Sequence, residues 1–187
     1  MGLTFSKSLP ENLKNGWILR AYSDSDWAGD LVSRKSVSGW CIFLCDNLIA
    51  WKSRGQKCTA LSSTEAEYVA LSELCVEILH VRSLLNFLGI FLTYPINVQV
   101  DNVGAIFLAT NYTGKHTRHI DAKFHFIRDY VEDGTVKINF VKSEDNLADI
   151  FTKNPSTAIF SANTDALLDN IGFSADQDSG GVLKKDG

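Results

Sequence analysis

The sequence predicts an α/β domain built on a single five-stranded mixed sheet flanked by helices. Three observations carry that reading. Three short runs rich in aromatic and β-branched residues follow one another between Trp17 and Lys52. A long stretch of helical periodicity comes next, from Ser62 to Gly89. Two more apolar runs, Ile96 to Asp101 and Val136 to Val141, are each preceded by helical pattern. Short connections pair neighbouring strands as an antiparallel meander, whereas helical connections bring strands in by crossover.

Residues 1–16 read as a lead-in, broken by Pro10, Asn12 and Gly16. Trp17 to Asp24 is the first strand and Gly39 to Cys45 the second. Asp46-Asn47 is the expected turn, and Leu48 to Lys52 the third strand. The long helix opens on Ser62-Ser63-Thr64-Glu65, a capping box with Ser62 as cap and Glu65 reaching back. Ala66, Val69, Ala70, Leu74, Ile78, Val81, Leu85 and Leu88 recur at helical spacing, and Gly89 supplies the stop. Ile96 to Asp101 is the fourth strand and Val103 to Thr110 a short helix. Asn111 to Gly114 is a loop, Ile120 to Val131 a further helix, and Asp133-Gly134 a turn into the fifth strand. Ser143 then caps a helix running to Thr152. Residues 154–187 form a tail with one weak amphipathic stretch, Thr157 to Ile171, and a polar, glycine-containing end expected to be disordered. The order is β-β-β-α-β-α-α-β-α, with one domain spanning 17–153.

A chain of 187 residues can bury one substantial core, and 45% hydrophobic with 21% charged residues is ordinary globular composition. No apolar run reaches the roughly 18 residues that argue for a membrane span, so no membrane partner is expected. Lys7, Glu11 and Lys14 interrupt any apolar core of a signal peptide. Cys41, Cys45, Cys58 and Cys75 contain no Cys-x-x-Cys pair, which argues against a zinc site and for reduced thiols inside a cell.

The net charge of −4 looks wrong for a nucleic-acid binder, but its distribution matters more. Residues 154–187 hold five acids and two bases, which leaves the body near −1. Basic residues cluster at Arg34-Lys35, at Lys52, Arg54 and Lys57, and at Lys115, Arg118 and Lys123 with His116 and His119. Such clusters can follow a phosphate backbone, or simply be solvated surface.

Four carboxylates stand at strand ends or helix turns among apolar neighbours: Asp24, Glu67, Asp101 and Asp149. Acids in apolar settings need cationic partners, and divalent metal ions are the usual ones. If strands one and four are adjacent, Asp24 and Asp101 converge at the sheet margin, and two helices add Glu67 and Asp149. Four acids at one point suit two hard cations and in-line displacement at phosphorus. Glu65 has a capping task, which leaves Glu67 as the ligand on that helix. Asp24 is favoured over Asp26, which remains a possible auxiliary. From spacing alone, surface carboxylates, caps and salt bridges explain the same residues.

Longer segments add to this reading. They are Tyr22-Ser23-Asp24-Ser25-Asp26-Trp27-Ala28-Gly29-Asp30, Arg34-Lys35-Ser36-Val37-Ser38-Gly39-Trp40 and Trp51-Lys52-Ser53 with Gln56. Ala60 to Leu71, Asp101-Asn102, Lys115 to Asp121 with Phe124 to Arg128, and Asn146 to Lys153 complete them. In these segments the chain resembles the ribonuclease H domain of Ty1/copia-type retrotransposon polyproteins. Gly2 to Lys7 resembles the connection from a preceding reverse transcriptase.

The resemblance implies a ribonuclease H-like fold and cleavage of the RNA strand of an RNA–DNA hybrid with two Mg²⁺ or Mn²⁺ ions. Products would carry 5′-phosphate and 3′-hydroxyl ends. It puts the catalytic, metal-holding acids on Asp24, Glu67, Asp101 and Asp149. It also implies a reverse transcriptase domain of the same polyprotein as partner, and an intracellular setting, in a cytoplasmic virus-like particle or the nucleus. A histidine loop is frequent in the wider group just before the last acid, but Phe140 to Asp149 contains no histidine.

An enzyme sparing DNA must feel 2′-hydroxyls. Ser25, Gln56, Ser63 and Asn102 are the expected neutral contacts, and Lys52, Arg54, Lys115 and Arg118 the phosphate contacts. His116 and His119 serve substrate contact or helix packing. A catalytically silent nucleic-acid-binding remnant is the alternative.

Overall fold

The computed structural model describes residues 16–29, 34–111 and 126–153. Strands β1 (Leu19–Asp26), β2 (Val37–Leu44) and β3 (Asn47–Gly55) form the antiparallel meander. Helix α1 (Ser63–Phe87) crosses over to β4 (Ile96–Val100), which lies parallel to β1. Helix α2 (Val103–Asn111) and the helical residues 126–132 precede β5 (Val136–Phe140), parallel to β4. The sheet is open, in the order β3-β2-β1-β4-β5, so β1 is central and its neighbour β4 ends beside it.

The hairpin between β2 and β3 turns at Cys45-Asp46, one residue earlier than the sequence predicts. Both residues have positive φ (47° and 67°), the pair of left-handed conformations that matches strand twist in a two-residue hairpin. Asn47 Nδ2 donates to Cys45 O at 2.9 Å and to Leu44 O, so Asn47 serves the turn from inside the strand.

Helix α1 is capped as expected at its start, where Glu65 N donates to Ser62 Oγ at 3.1 Å. Glu65 reaches back one residue further than predicted: its Oε2 accepts from Leu61 N at 2.7 Å. At the other end Gly89 takes φ +74°, with Gly89 N bonded to Asn86 O and Ile90 N to Leu85 O. That pair of bonds is a Schellman cap, and a left-handed glycine is what it requires.

Alternation along the strands gives the sheet two unlike faces. Leu19, Ala21, Trp40, Ile42, Ile96 and Val98 face α1, which buries Leu71, Leu74, Cys75, Ile78, Val81 and Leu85 against them. Each fully buried aliphatic side chain there contributes about 1.5–3 kcal/mol. The opposite face holds a small cluster of Cys41, Phe43 and Leu48, with Tyr22, Leu147, Ile150 and Phe151 packed on it.

The predicted helix from Ser143 to Thr152 does not form. In its place stand two 3-10 turns, Ser143–Asp145 and Asp149–Phe151, separated by extended backbone at Asn146 (φ −81°, ψ 102°). The buried side chain of Asn146 explains the break. Its Nδ2 donates to Ser23 O at 3.0 Å and its Oδ1 accepts from Ala148 N at 3.2 Å, so the chain is pinned to β1 there. Nor does Ser143 act as a cap, because its hydroxyl is given to Asp101.

Candidate active site

Asp24 sits inside β1, not at its end, since pairing with β2 continues to Asp26. Its side chain is only 1% exposed. The neighbour across the ladder is Gly39, and there the lack of a side chain is structural. A Cβ on Gly39 would lie 2.5 Å from Thr152 Cγ2 and 3.1 Å from Ala148 O. The second 3-10 turn therefore lies directly over the β1–β2 ladder and brings Asp149 to Asp24. Asp101 arrives from the first residue beyond β4, which runs beside β1.

Asp24, Asp101 and Asp149 each offer a carboxylate oxygen, and these oxygens lie within 4.8 Å of one another. Among the described residues they form the group suited to a metal ion. Hard oxygen donors at this spacing fit Mg²⁺ or Mn²⁺. Polar atoms left without a partner support the fit: Asp149 Oδ1 and Glu67 Oε2 are both buried and unbonded.

Glu67 comes from the second turn of α1 and is held apart from the trio. Ser25 N and Ser25 Oγ donate to Glu67 Oε1 at 3.0 and 3.1 Å. Burial pushes its carboxyl up to about 8, with the nearby charges of Asp24 and Asp101 adding to the rise and the Ser25 bonds opposing it. Burial likewise pushes Asp24 up to about 6, aided by the charges of Asp149 and Asp101 and opposed by Thr152 and Lys153. The Thr152 hydroxyl donates to Asp24 Oδ2. Ser143 Oγ donates to Asp101 Oδ2 at 2.6 Å.

Lys153 donates to Asp149 Oδ2 at 2.8 Å, with Asp24 Oδ1 at 3.7 Å. Partial burial works against its charge. The bond to Asp149 and the charges of Asp24, Asp149 and Asp101 outweigh that, and Lys153 is raised above its ordinary value.

The other expected residues fall in varied places. The Asp26 carboxylate lies against Gly29, where an added Cβ would meet its Oδ2 at 1.8 Å, and it is outside the aspartate trio. Gln56 is buried, with Nε2 donating to Ser38 Oγ at 3.0 Å and to Ala66 O at 2.9 Å, so it ties β2 to α1. Ser25 is buried with its hydroxyl on Glu67. Asn102 begins α2, its Oδ1 accepting from Ala105 N at 3.0 Å. Lys52 lies 5.6 Å over the Trp40 ring and 3.8 Å from Glu73. Ser63 and Arg54 are exposed, at the start of α1 and near the end of β3. Lys115, His116, Arg118 and His119 lie outside the described residues.

From the sequence, Ser143 has only a helix-cap role, and Thr152 and Lys153 have no site role of their own. The spacing of Lys153 four residues after Asp149 was the available signal.

No family model matches the chain. It is 41% identical over 143 residues to the retrovirus-related Pol polyprotein of transposon RE2 from Arabidopsis thaliana. It is 39% identical over 138 residues to that of transposon TNT 1-94 from Nicotiana tabacum. These matches cover 76% and 73% of the chain, which spans only 10% of the length of each polyprotein. Among solved structures it is similar to LC11-RNase H1 in complex with an RNA/DNA hybrid. The TM-score is 0.51 and the identity 18%, over 72% of this chain and 93% of that one. What is shared at that identity is the fold.

Proposed function

The chain belongs with the retrovirus-related Pol polyproteins of Ty1/copia-type transposons and has the ribonuclease H fold; from that premise we propose that it is an endoribonuclease that cuts the RNA strand of RNA–DNA hybrids during reverse transcription. The observation that carries this reading is the convergence of Asp24, Asp101 and Asp149 within 4.8 Å. One acid comes from the central strand, one from the end of its parallel neighbour, and one from the turn laid across the ladder. The RNA–DNA hybrid bound by LC11-RNase H1 supports the choice of substrate.

Two Mg²⁺ or Mn²⁺ ions, when bound, supply Lewis acidity at the phosphate and lower the pKa of the attacking water. Asp24, Asp101 and Asp149 would hold them. Glu67 would join as fourth ligand, its Oε2 being the oxygen not already committed to Ser25. With its carboxyl pushed up to about 8, Glu67 carries a proton near neutral pH and gives it up as positive charge arrives. Ser143 and Thr152 orient Asp101 and Asp24 through their hydroxyls. Lys52 and Arg54 on β3 are the described candidates for phosphate contact, and Ser63 at the exposed start of α1 for a 2′-hydroxyl. The reverse transcriptase domain of the same polyprotein is the proposed partner.

The test is cleavage of a labelled hybrid with Mg²⁺ or Mn²⁺, with Asp101→Asn alongside. Metal-dependent cutting of the RNA strand alone, lost in the variant, is the expected result. A folded protein that binds hybrid without cutting it would instead be a silent remnant.

A further inference from the structure

Lys153 stands on the same turn as Asp149, four residues on, and its ammonium reaches both Asp149 Oδ2 (2.8 Å) and Asp24 Oδ1 (3.7 Å). Two of the three aspartates that fit a divalent cation therefore already share a cation supplied by the chain. Asp24 is 1% exposed while the Lys153 side chain is 44% exposed, so the acid is fixed in the fold and the lysine has open space to leave by. A divalent ion held by these aspartates, whether on the ammonium-bound oxygens or on the unbonded Asp149 Oδ1, would lie a few ångströms from the ammonium, where like charges repel strongly in a partly desolvated site.

We propose that Lys153 is a built-in competitor for the metal: its ammonium neutralises the Asp24–Asp149 pair, and a divalent ion binds by displacing it. The inference rests on the metal-site reading above and deepens it. The displaced ammonium remains tethered at the mouth of the site. The phosphates of a bound hybrid are the acceptors within its reach, and a charge-assisted bond to them offsets the bond lost to Asp149. Substrate and metal are then coupled through Lys153, each tightening the other.

The experiment is a calorimetric titration of Mn²⁺ into the full chain after chelator treatment, without hybrid and with a hybrid whose RNA strand is 2′-O-methylated against cleavage. The proteins compared are the unaltered chain, Lys153→Met and Asp101→Asn. Without hybrid, Lys153→Met should bind Mn²⁺ about tenfold more tightly, the scale of one charge-assisted bond released from competition. Hybrid should tighten Mn²⁺ binding by the unaltered chain and do so less in Lys153→Met. Equal or weaker binding by Lys153→Met overturns the proposal, while Asp101-dependent binding by the unaltered chain would leave the metal site standing. Binding that is absent, or unaffected by Asp101→Asn, removes the metal-site reading and this inference with it. Should Lys153→Met not fold, the ¹³Cε signal of Lys153 in the unaltered chain decides. It should shift in step with Mg²⁺ saturation, and a signal unmoved at saturation overturns the proposal.

Discussion

The two faces of the sheet are built by opposite means. Under α1, the residues of β1, β2 and β4 meet a continuous apolar layer, and regular secondary structure holds everything in place. On the other face, residues 143–153 have no regular helix and only a small apolar cluster beneath them. They are held by named polar links: Asn146 to Ser23, Ser143 to Asp101, Thr152 to Asp24 and Lys153 to Asp149. The first face supplies stability and lends the site one acid, Glu67, from the start of α1. The second concentrates like charge that a stable core would reject, and it can do so because the first carries the fold.

Substitutions should separate the two faces. The largest effect expected is on the charged face. Asp149→Asn should lower hybrid cleavage by about 10²–10³-fold, the scale for losing a preorganised charged group. It should leave the melting temperature unchanged or higher, since one like charge beside Asp24 is gone. Cleavage assays paired with thermal melts check this, and a large drop in melting temperature would blur the division. Next, Leu74→Ala in the middle of α1, at a fully buried site, should destabilise by about 2–5 kcal/mol in urea titrations. The residual folded enzyme should keep its specific activity.

Gly39→Ala sits where the faces meet and should affect both moderately. Its new Cβ collides with the turn bearing Thr152, so stability should fall by about 1–3 kcal/mol. Cleavage should fall with it, because Asp149 rides on that turn. A variant with unaltered cleavage would mean the turn is not positioned by this close approach.

The smallest effect is a dependence on pH. Glu67 and Asp24 are raised from 4.5 to about 8 and from 3.8 to about 6, so the folded chain holds protons that the unfolded chain has lost. Their contribution to stability is complete below pH 4 or so and disappears as pH rises through about 6 and then about 8. In chelator, the melting temperature should drop by a few degrees between pH 6 and pH 9. Glu67→Gln should flatten the upper part of that slope, and saturating Mg²⁺ should do the same. A profile indifferent to both changes would show that burial at Glu67 is not what sets it.

The meander, the long capped helix and the crossover strands were legible in the sequence because each depends on local pattern: period two, period 3.6, caps and turns. The adjacency of β1 and β4 stood only as a condition, because α1 joins β3 to β4 and does not say which strand β4 pairs with; the structure meets that condition and brings Asp24 and Asp101 together. Three features were not legible. Asp24 read as a strand end because Ser23 and Ser25 carry no hydrophobic signal, yet both are buried, Ser25 by its bonds to Glu67. Gln56 read as a substrate contact because it is polar, and its burial depends on partners in β2 and α1. The 143–152 segment read as helical because the competing partner of Asn146, the carbonyl of Ser23, is remote in sequence.

That last separation governs the order in which the molecule comes into being. The Asn146–Ser23 bond joins residues 123 apart, and the Thr152–Asp24 bond residues 128 apart. Within this chain all five strands, with Asp24 and Asp101, precede in sequence the residues 143–153 that close over them. The strands of the scaffold are therefore all in place in the chain before the third aspartate is added.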